Sequence, residues 1–143
     1  MAAQNFKNHS KFVPAFHFIA GPIFIFYAVW TIVRMVRHFS AENVVAALVA
    51  IALLILSFEA RLFALRVQDR VIRLEMRLRM RELLPADLQT RIPEFTVGQL
   101  IALRFAGDSE LPGLARKVLE EKLNDKTAIK KMVQNWQPDT LRA

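Results

Sequence analysis

Apolar residues run almost unbroken from Phe12 to Val33, and again from Val44 to Phe58. Between and after these blocks the pattern changes. A short polar connection joins them, and a charged periodic segment follows the second. A helix rises 1.5 Å per residue, so about 20 residues cross a hydrocarbon core of roughly 30 Å. The first block reaches that length by itself. The second reaches it by borrowing flanking residues and leaves lipid near residues 59–65, where Arg61 can extend its charge toward water. The pattern predicts an all-α membrane protein built on a two-helix transmembrane hairpin over 12–60, preceded by a cytoplasmic N-terminus over 1–11.

Within the first block, Pro14 lies in the first turn, where its missing N–H costs little. The pair Gly21-Pro22 lies inside and is expected to bend or loosen the helix. Tyr27 and Trp30 approach its far end, as an aromatic interface belt does. The segment after it, Arg34, Met35, Val36, Arg37, is no small-residue cleavage site, so the block reads as a retained anchor. Ser40 is placed to cap the second helix. The connection, taken as Arg34 to Asn43, demands an antiparallel hairpin with both ends on one side. That loop offers Arg34 and Arg37, whereas the other side offers Lys7, Lys11 and seven arginines between 61 and 81. The excess of basic residues predicts cytoplasmic termini.

From Ala41 to Leu84 there is no Gly or Pro. A helix over this whole stretch is about 66 Å long. Its second half, an arginine-rich stem over 61–84, carries three stripes on a helical wheel. Arg66, Arg70, Arg73, Arg77 and Arg81 share one edge. Val67, Val71, Leu74 and Leu78 form an apolar seam, and Leu65, Ile72, Met76 and Leu83 form another. Two seams need two things to pack against: the chain's own tail, a second copy in a coiled-coil-like dimer, or another protein. All the stem's basic residues are arginine, whose planar fork suits carboxylate or phosphate. Arg61, Arg66, Arg70, Arg73, Arg77 and Arg81 are therefore the candidate residues for binding lipid or a partner. Anionic lipid would contribute about 1 kcal/mol for each arginine near the surface.

Pro85 and Pro93 bracket a linker over 85–94. Thr96-Val97-Gly98-Gln99 fits a capping box, predicting a helix from Val97 to about Ala106 with Gly107 as its left-handed stop. Ser109, followed by Glu110, Leu111 and Pro112, predicts a second helix closing at Leu123 near Asn124. Asp125 begins a third, with Ile129, Met132, Val133 and Trp136 on one side and Pro138 ending it. These make a small cytoplasmic helical domain over 95–143. Its helical cluster, about 43 residues over 95–137, gives a marginal core, so support from the stem or a partner is expected.

Composition sharpens the picture. The chain has 143 residues, 54% of them hydrophobic and 23% charged, with a mean hydropathy of +0.25. Apolar and charged residues are thus segregated into blocks. The net charge of +7 is uneven: residues 1–84 hold eleven basic against five acidic residues, residues 85–143 nine against eight. The excess lies beside the spans, which favours lipid head groups over nucleic acid as the anion. There is no cysteine, which excludes disulfides, thiolate metal sites and thiol nucleophiles.

Candidate chemistry is sparse. His17 lies about one turn inside the first span, and in a hairpin centred near residues 38–39 it stands level with Ala60, beside Glu59. His17 and Glu59 are the candidate intramembrane polar pair, serving as a structural contact or in handling protons or a quinone. An axial haem ligand from His17 is a further alternative, requiring a second imidazole from a dimer or partner. His38 is expected at the opposite membrane face and His9 near the N-terminus, and the three histidines lack metal-ligand spacing. There is no serine–histidine–acid order and no glycine-rich phosphate loop. Trp136 with Lys130 and Lys131 reads as a ligand patch or, more simply, as a tryptophan closing a helical core.

The segments AQNFKNHSKFVPAFHF and RLEMRLR, with LLP shortly after it, together with GQLIALRFAGDSELPGLARKVLEEKL and NWQPD, span nearly the whole chain. In them the sequence resembles a family of small bacterial two-span membrane proteins classed as a domain of unknown function. The resemblance implies a bacterial source and a two-span layout, with no activity or site residues to carry over. The reading is therefore a non-enzymatic accessory or scaffolding subunit of the bacterial inner membrane, docking into a larger complex or homo-oligomer through stem and tail. Redox or proton handling through His17 and Glu59 is one alternative, and sensing of anionic lipid is another.

Overall fold

A computed structural model describes Phe6 and residues 13–139. The fold is all-helical, with 77% helix and no strand among the described residues. The described residues divide into two compact units, residues 13–65 and residues 66–139 with Phe6. The long helix α2 (Ala41–Leu83) contributes its first part to one and its last part to the other.

In the first unit, α1 (Gly21–Arg37) is preceded by a π-helix over Ala15–Ala20. The cause is Pro22, which has no N–H to offer Phe18. The register widens instead, and the Gly21 N–H donates to the Phe16 carbonyl five residues back. A Cβ at position 21 would lie 3.1 Å from that same oxygen, so glycine suits the wide turn. The expected loosening at Gly21-Pro22 takes this form. The connection to α2 is shorter than Arg34 to Asn43, because α1 continues to Arg37 and only residues 38–40 are non-helical. Ser40 caps α2 as expected, its Oγ accepting from the Asn43 N–H at 3.2 Å, while Asn43 Nδ2 donates to the His38 carbonyl at 2.6 Å.

The residues this unit buries are small: Ala28, Thr31, Ala47 and Ala50. Small residues let two helix backbones approach closely, and the Thr31 hydroxyl is satisfied by donating to the Tyr27 and Ala28 carbonyls. The long side chains point the other way, with Phe18 67% and Leu56 65% exposed. Only 11% of the most apolar window of each helix is buried. By length and composition these two helices are apolar enough to cross a membrane.

The second unit has a conventional core. Ile72, Met76 and Met80, spaced four apart on α2, and Leu84 just beyond it are buried in one cluster with Leu100, Leu103, Leu111, Val118 and Ile129. Each fully buried aliphatic side chain contributes roughly 1.5–3 kcal/mol, and this supplies the support that the short tail helices need. Pro85 ends the stem as expected. Residues 85–94 are more than a linker: they form α3 (Ala86–Gln89) and a 3₁₀ turn (Ile92–Glu94), with Leu88 and Ile92 buried. The Gln89 side chain donates to the Arg81 and Leu84 carbonyls, satisfying the last turn of α2.

The capping box is present: Thr96 Oγ accepts from the Gln99 N–H, and the Gln99 side chain returns to the Thr96 N–H. The helix it begins, α4 (Val97–Leu103), stops short of Ala106. Gly107 has no positive φ and is not a left-handed stop. Its purpose is close approach, since a Cβ there would lie 3.1 Å from Asn135 Cβ and 3.2 Å from the Asn135 carbonyl, which accepts the Gly107 N–H. Helix α5 (Leu111–Glu120) begins two residues after Ser109, with Glu110 as its N-cap. The Glu110 carboxylate accepts from the Gly107, Gln134 and Asn135 N–H groups, which draws it away from the helix. Lys122, not a glycine, takes the left-handed turn after α5, with φ 50°. Helix α6 (Lys126–Met132) is capped by Asp125 through the Thr127 N–H. It ends before Trp136, which is held instead by an isolated antiparallel bridge to Ala106.

Candidate interaction surface

The two apolar seams of the stem meet different fates. One is used internally: Ile72 and Met76 are buried against the tail, joined by Met80 and Leu84. Met80 was not assigned to that seam by the wheel, and Leu65 lies in the other unit. The second seam is bare. Val67 is 61%, Val71 48%, Leu74 61% and Leu78 52% exposed.

Beside this bare seam runs the arginine edge. Arg70, Arg73 and Arg77 surround a shallow depression of about 400 Å³ together with Leu74. Arg77 Nε is buried and has no hydrogen-bond partner. Arg66 and Arg81 continue the edge and are exposed. Arg61 belongs to the other unit, where it lines an apolar groove of about 460 Å³ with Val13, Phe16, Ala20, Ser57 and Ala60.

That groove is lined by Phe16 and Ala20 from one helix and by Ser57, Ala60 and Ala64 from the other, and its lining includes neither His17 nor Glu59. His17 Nδ1 lies 3.0 Å from the Val13 carbonyl and 3.2 Å from the Val13 nitrogen, which engages this ring nitrogen with its own first turn. The ring meets Phe16 edge-on at 5.1 Å. His9, Lys7 and Lys11 lie outside the described residues. No group of three or more His, Cys, Asp or Glu side chains among the described residues is placed to hold a metal ion.

A structural arginine lies outside the expected set. Arg79 falls off the arginine stripe, on the side of the buried seam, and it clamps the tail to the stem. Its Nη2 donates to the Ala106 carbonyl and to Asp108 Oδ1, both at 2.6 Å. Its Nε reaches Asp108 at 2.9 Å, and Nη1 the Arg104 carbonyl at 3.2 Å. The signal was available: a lone arginine between apolar seam positions must find acceptors or face an expensive burial. Arg79 and Arg104 also line a groove of about 230 Å³ with Glu75 and Asp139, and Arg104 Nε pairs with Asp139 at 3.1 Å.

Trp136 packs against the tail core. It stacks on buried Phe105 at 4.4 Å, with Lys130 and Arg104 over the Phe105 ring at 5.3 and 4.5 Å. At the far edge, the guanidinium of Arg116 donates to Asp87 at 2.7 Å and lowers that carboxyl below its ordinary value. Arg91 does the same to Glu94. These pairs are structural clamps within the second unit, while the apolar seam of the stem stays bare beside its arginine edge.

Comparison with known proteins returns one family model, described as "Family of unknown function (DUF6526)", matching residues 1–143. No curated protein and no solved structure matches the chain.

Proposed function

Because the chain belongs to the family of unknown function DUF6526, which supplies no activity, we propose a role from its surfaces: a non-enzymatic accessory or scaffolding subunit of the bacterial inner membrane. The hairpin of α1 and the first part of α2 anchors it in lipid, and the stem and tail dock onto a protein partner on the cytoplasmic side. One observation carries the reading, namely large apolar residues exposed at 48–61% along the stem in a unit that otherwise buries its core well. Water does not tolerate such a contiguous seam without a use for it. The arginine edge beside it suits anionic lipid head groups or an acidic partner surface.

Orientation follows from the basic residues, which concentrate between 61 and 81 and set that side in the cytoplasm. Phe39, 85% exposed in the hairpin turn, then faces the opposite compartment. In intact cells, a membrane-impermeant maleimide should label a Phe39→Cys chain and spare an Arg81→Cys chain. Labelling of Arg81→Cys alone would invert the topology. The protein should resist alkaline extraction from membranes and purify in mild detergent as an oligomer or with stoichiometric companions. A clean, monodisperse monomer would remove the docking role.

A further inference from the structure

We propose that the bare seam of the stem is a parallel homodimer interface, with a second copy of this chain as its occupant. Val67, Leu74 and Val71, Leu78 alternate at spacings of four and three, the repeat of a two-stranded coiled coil. In that phase Val71 and Leu78 occupy the a positions, and Val67 and Leu74 the d positions. The same phase puts Arg70 and Arg77 at g, and Glu75 and Glu82 at e. In a parallel pair a g residue meets the e residue five positions later on the partner helix. Arg70 therefore meets Glu75 of the other copy, and Arg77 meets Glu82. Both pairings are attractive, and symmetry repeats each of them. An antiparallel pair would set arginine against arginine and glutamate against glutamate, so charge selects the parallel sense.

The single chain leaves these four groups available. The side chains of Arg70, Glu75, Arg77 and Glu82 make no hydrogen bond or ion pair within the described residues, in contrast with those of Arg79, Asp87, Arg91, Glu94 and Arg116, which all do. Arg77 Nε is already shielded without a partner. The seam lies away from Ile72, Met76 and Met80, so a second copy need not displace the tail. Ala64 and Arg81 bound the seam in the same phase, which limits it to about two heptads, short for a free coiled coil. The proposed membrane anchor compensates by confining the copies and aligning them, raising their effective concentration. The inference rests on that anchor for strength, while the pairing sense rests on charge alone.

The absence of native cysteine makes the test direct. Full-length Val71→Cys and Leu74→Cys chains, oxidised in native membranes, should give disulfide-linked dimers, and Arg73→Cys on the outer flank should not. In the Leu74→Cys background, Arg70→Glu with Arg77→Glu should cut the dimer about tenfold, as attractive flanking pairs become repulsive. Glu75→Arg with Glu82→Arg should do the same. Mixing these two charge-swapped chains should restore a disulfide-linked heterodimer. Equal cross-linking at Arg73, a dimer indifferent to charge, or no rescue on mixing would overturn the proposal, as would a seam shielded by a different protein. Alkaline extraction of the same chains reads the anchor separately, so loss of insertion and loss of pairing are distinguishable.

Discussion

Replacing Arg79 with methionine keeps the apolar stem of the side chain and deletes its guanidinium. The Arg104 and Ala106 carbonyls then lose their donor, and Asp108 loses its cation. The two losses differ in size. Asp108 is 64% exposed and easily rehydrated, so the ion pair itself contributes at most about 1 kcal/mol. The Arg79 side chain is only 20% exposed. Its charge-assisted bonds to two part-buried carbonyls are worth about 1.5–3 kcal/mol each before rehydration. Allowing for water at the groove edge, Arg79→Met should cost about 2–3 kcal/mol of tail stability, and Asp108→Ala under about 1 kcal/mol. Trp136 stacks on Phe105, beside the clamped loop, and reports the transition. With Trp30→Phe removing the other tryptophan, urea titration in mild detergent followed by fluorescence measures both variants. Equal costs for the two substitutions, or a loss under about 0.5 kcal/mol for Arg79→Met, would refute the carbonyl clamp as the main interaction.

Three further outcomes are expected from the same titration. Met80 is fully buried, so Met80→Ala should cost about 2–5 kcal/mol, and a loss under about 0.5 kcal/mol would contradict its place in the core. Lys122 holds φ at 50°, so Lys122→Gly should stabilise by about 0.5–1 kcal/mol, and a destabilised variant would contradict the left-handed turn. The pairing with Arg116 lowers the Asp87 carboxyl below 3.8, and that with Arg91 lowers Glu94 below 4.5. A depressed folded value binds its proton later than the unfolded chain does. The stabilisation is therefore complete above 4.5, and it is lost as pH falls through the lowered values. Asp87→Asn should flatten part of that acid limb, and an unchanged pH profile would show that the pair contributes nothing.

Much of the fold is legible in local chemistry. Ser40, Thr96 with Gln99, and Asp125 act within three residues of themselves, so their caps are readable from spacing. Pro85 stops α2 because a proline in a helix interior loses a hydrogen bond and crowds the preceding turn, and the Gly21-Pro22 distortion follows from a missing donor. The failures share a cause. Gly107, Glu110, Arg79 and Trp136 answer to partners 24 or more residues away, and no local spacing encodes that. Gly107 was read as a helix stop, but its neighbour is Asn135. The sequence places Glu110 just after the expected helix start at Ser109, but its carboxylate receives N–H groups from the far end of the tail. Trp136 was placed on a helix that ends at Met132, because its ring is claimed by Phe105.

Hydrophobic periodicity and helix-breaking residues alone determined the helical class, the two apolar spans, the long α2 and the existence of two stem seams. These follow from the energetics of backbone and side chain within a few turns. Tertiary structure decided which seam the tail covers and which it leaves bare. A wheel ranks faces by polarity, yet both seams are equally apolar, and the choice depends on how the short helices after Pro85 fold back. Burial is a property of the assembled chain, and here it selected Ile72, Met76 and Met80 while leaving Val67, Val71, Leu74 and Leu78 open to a partner.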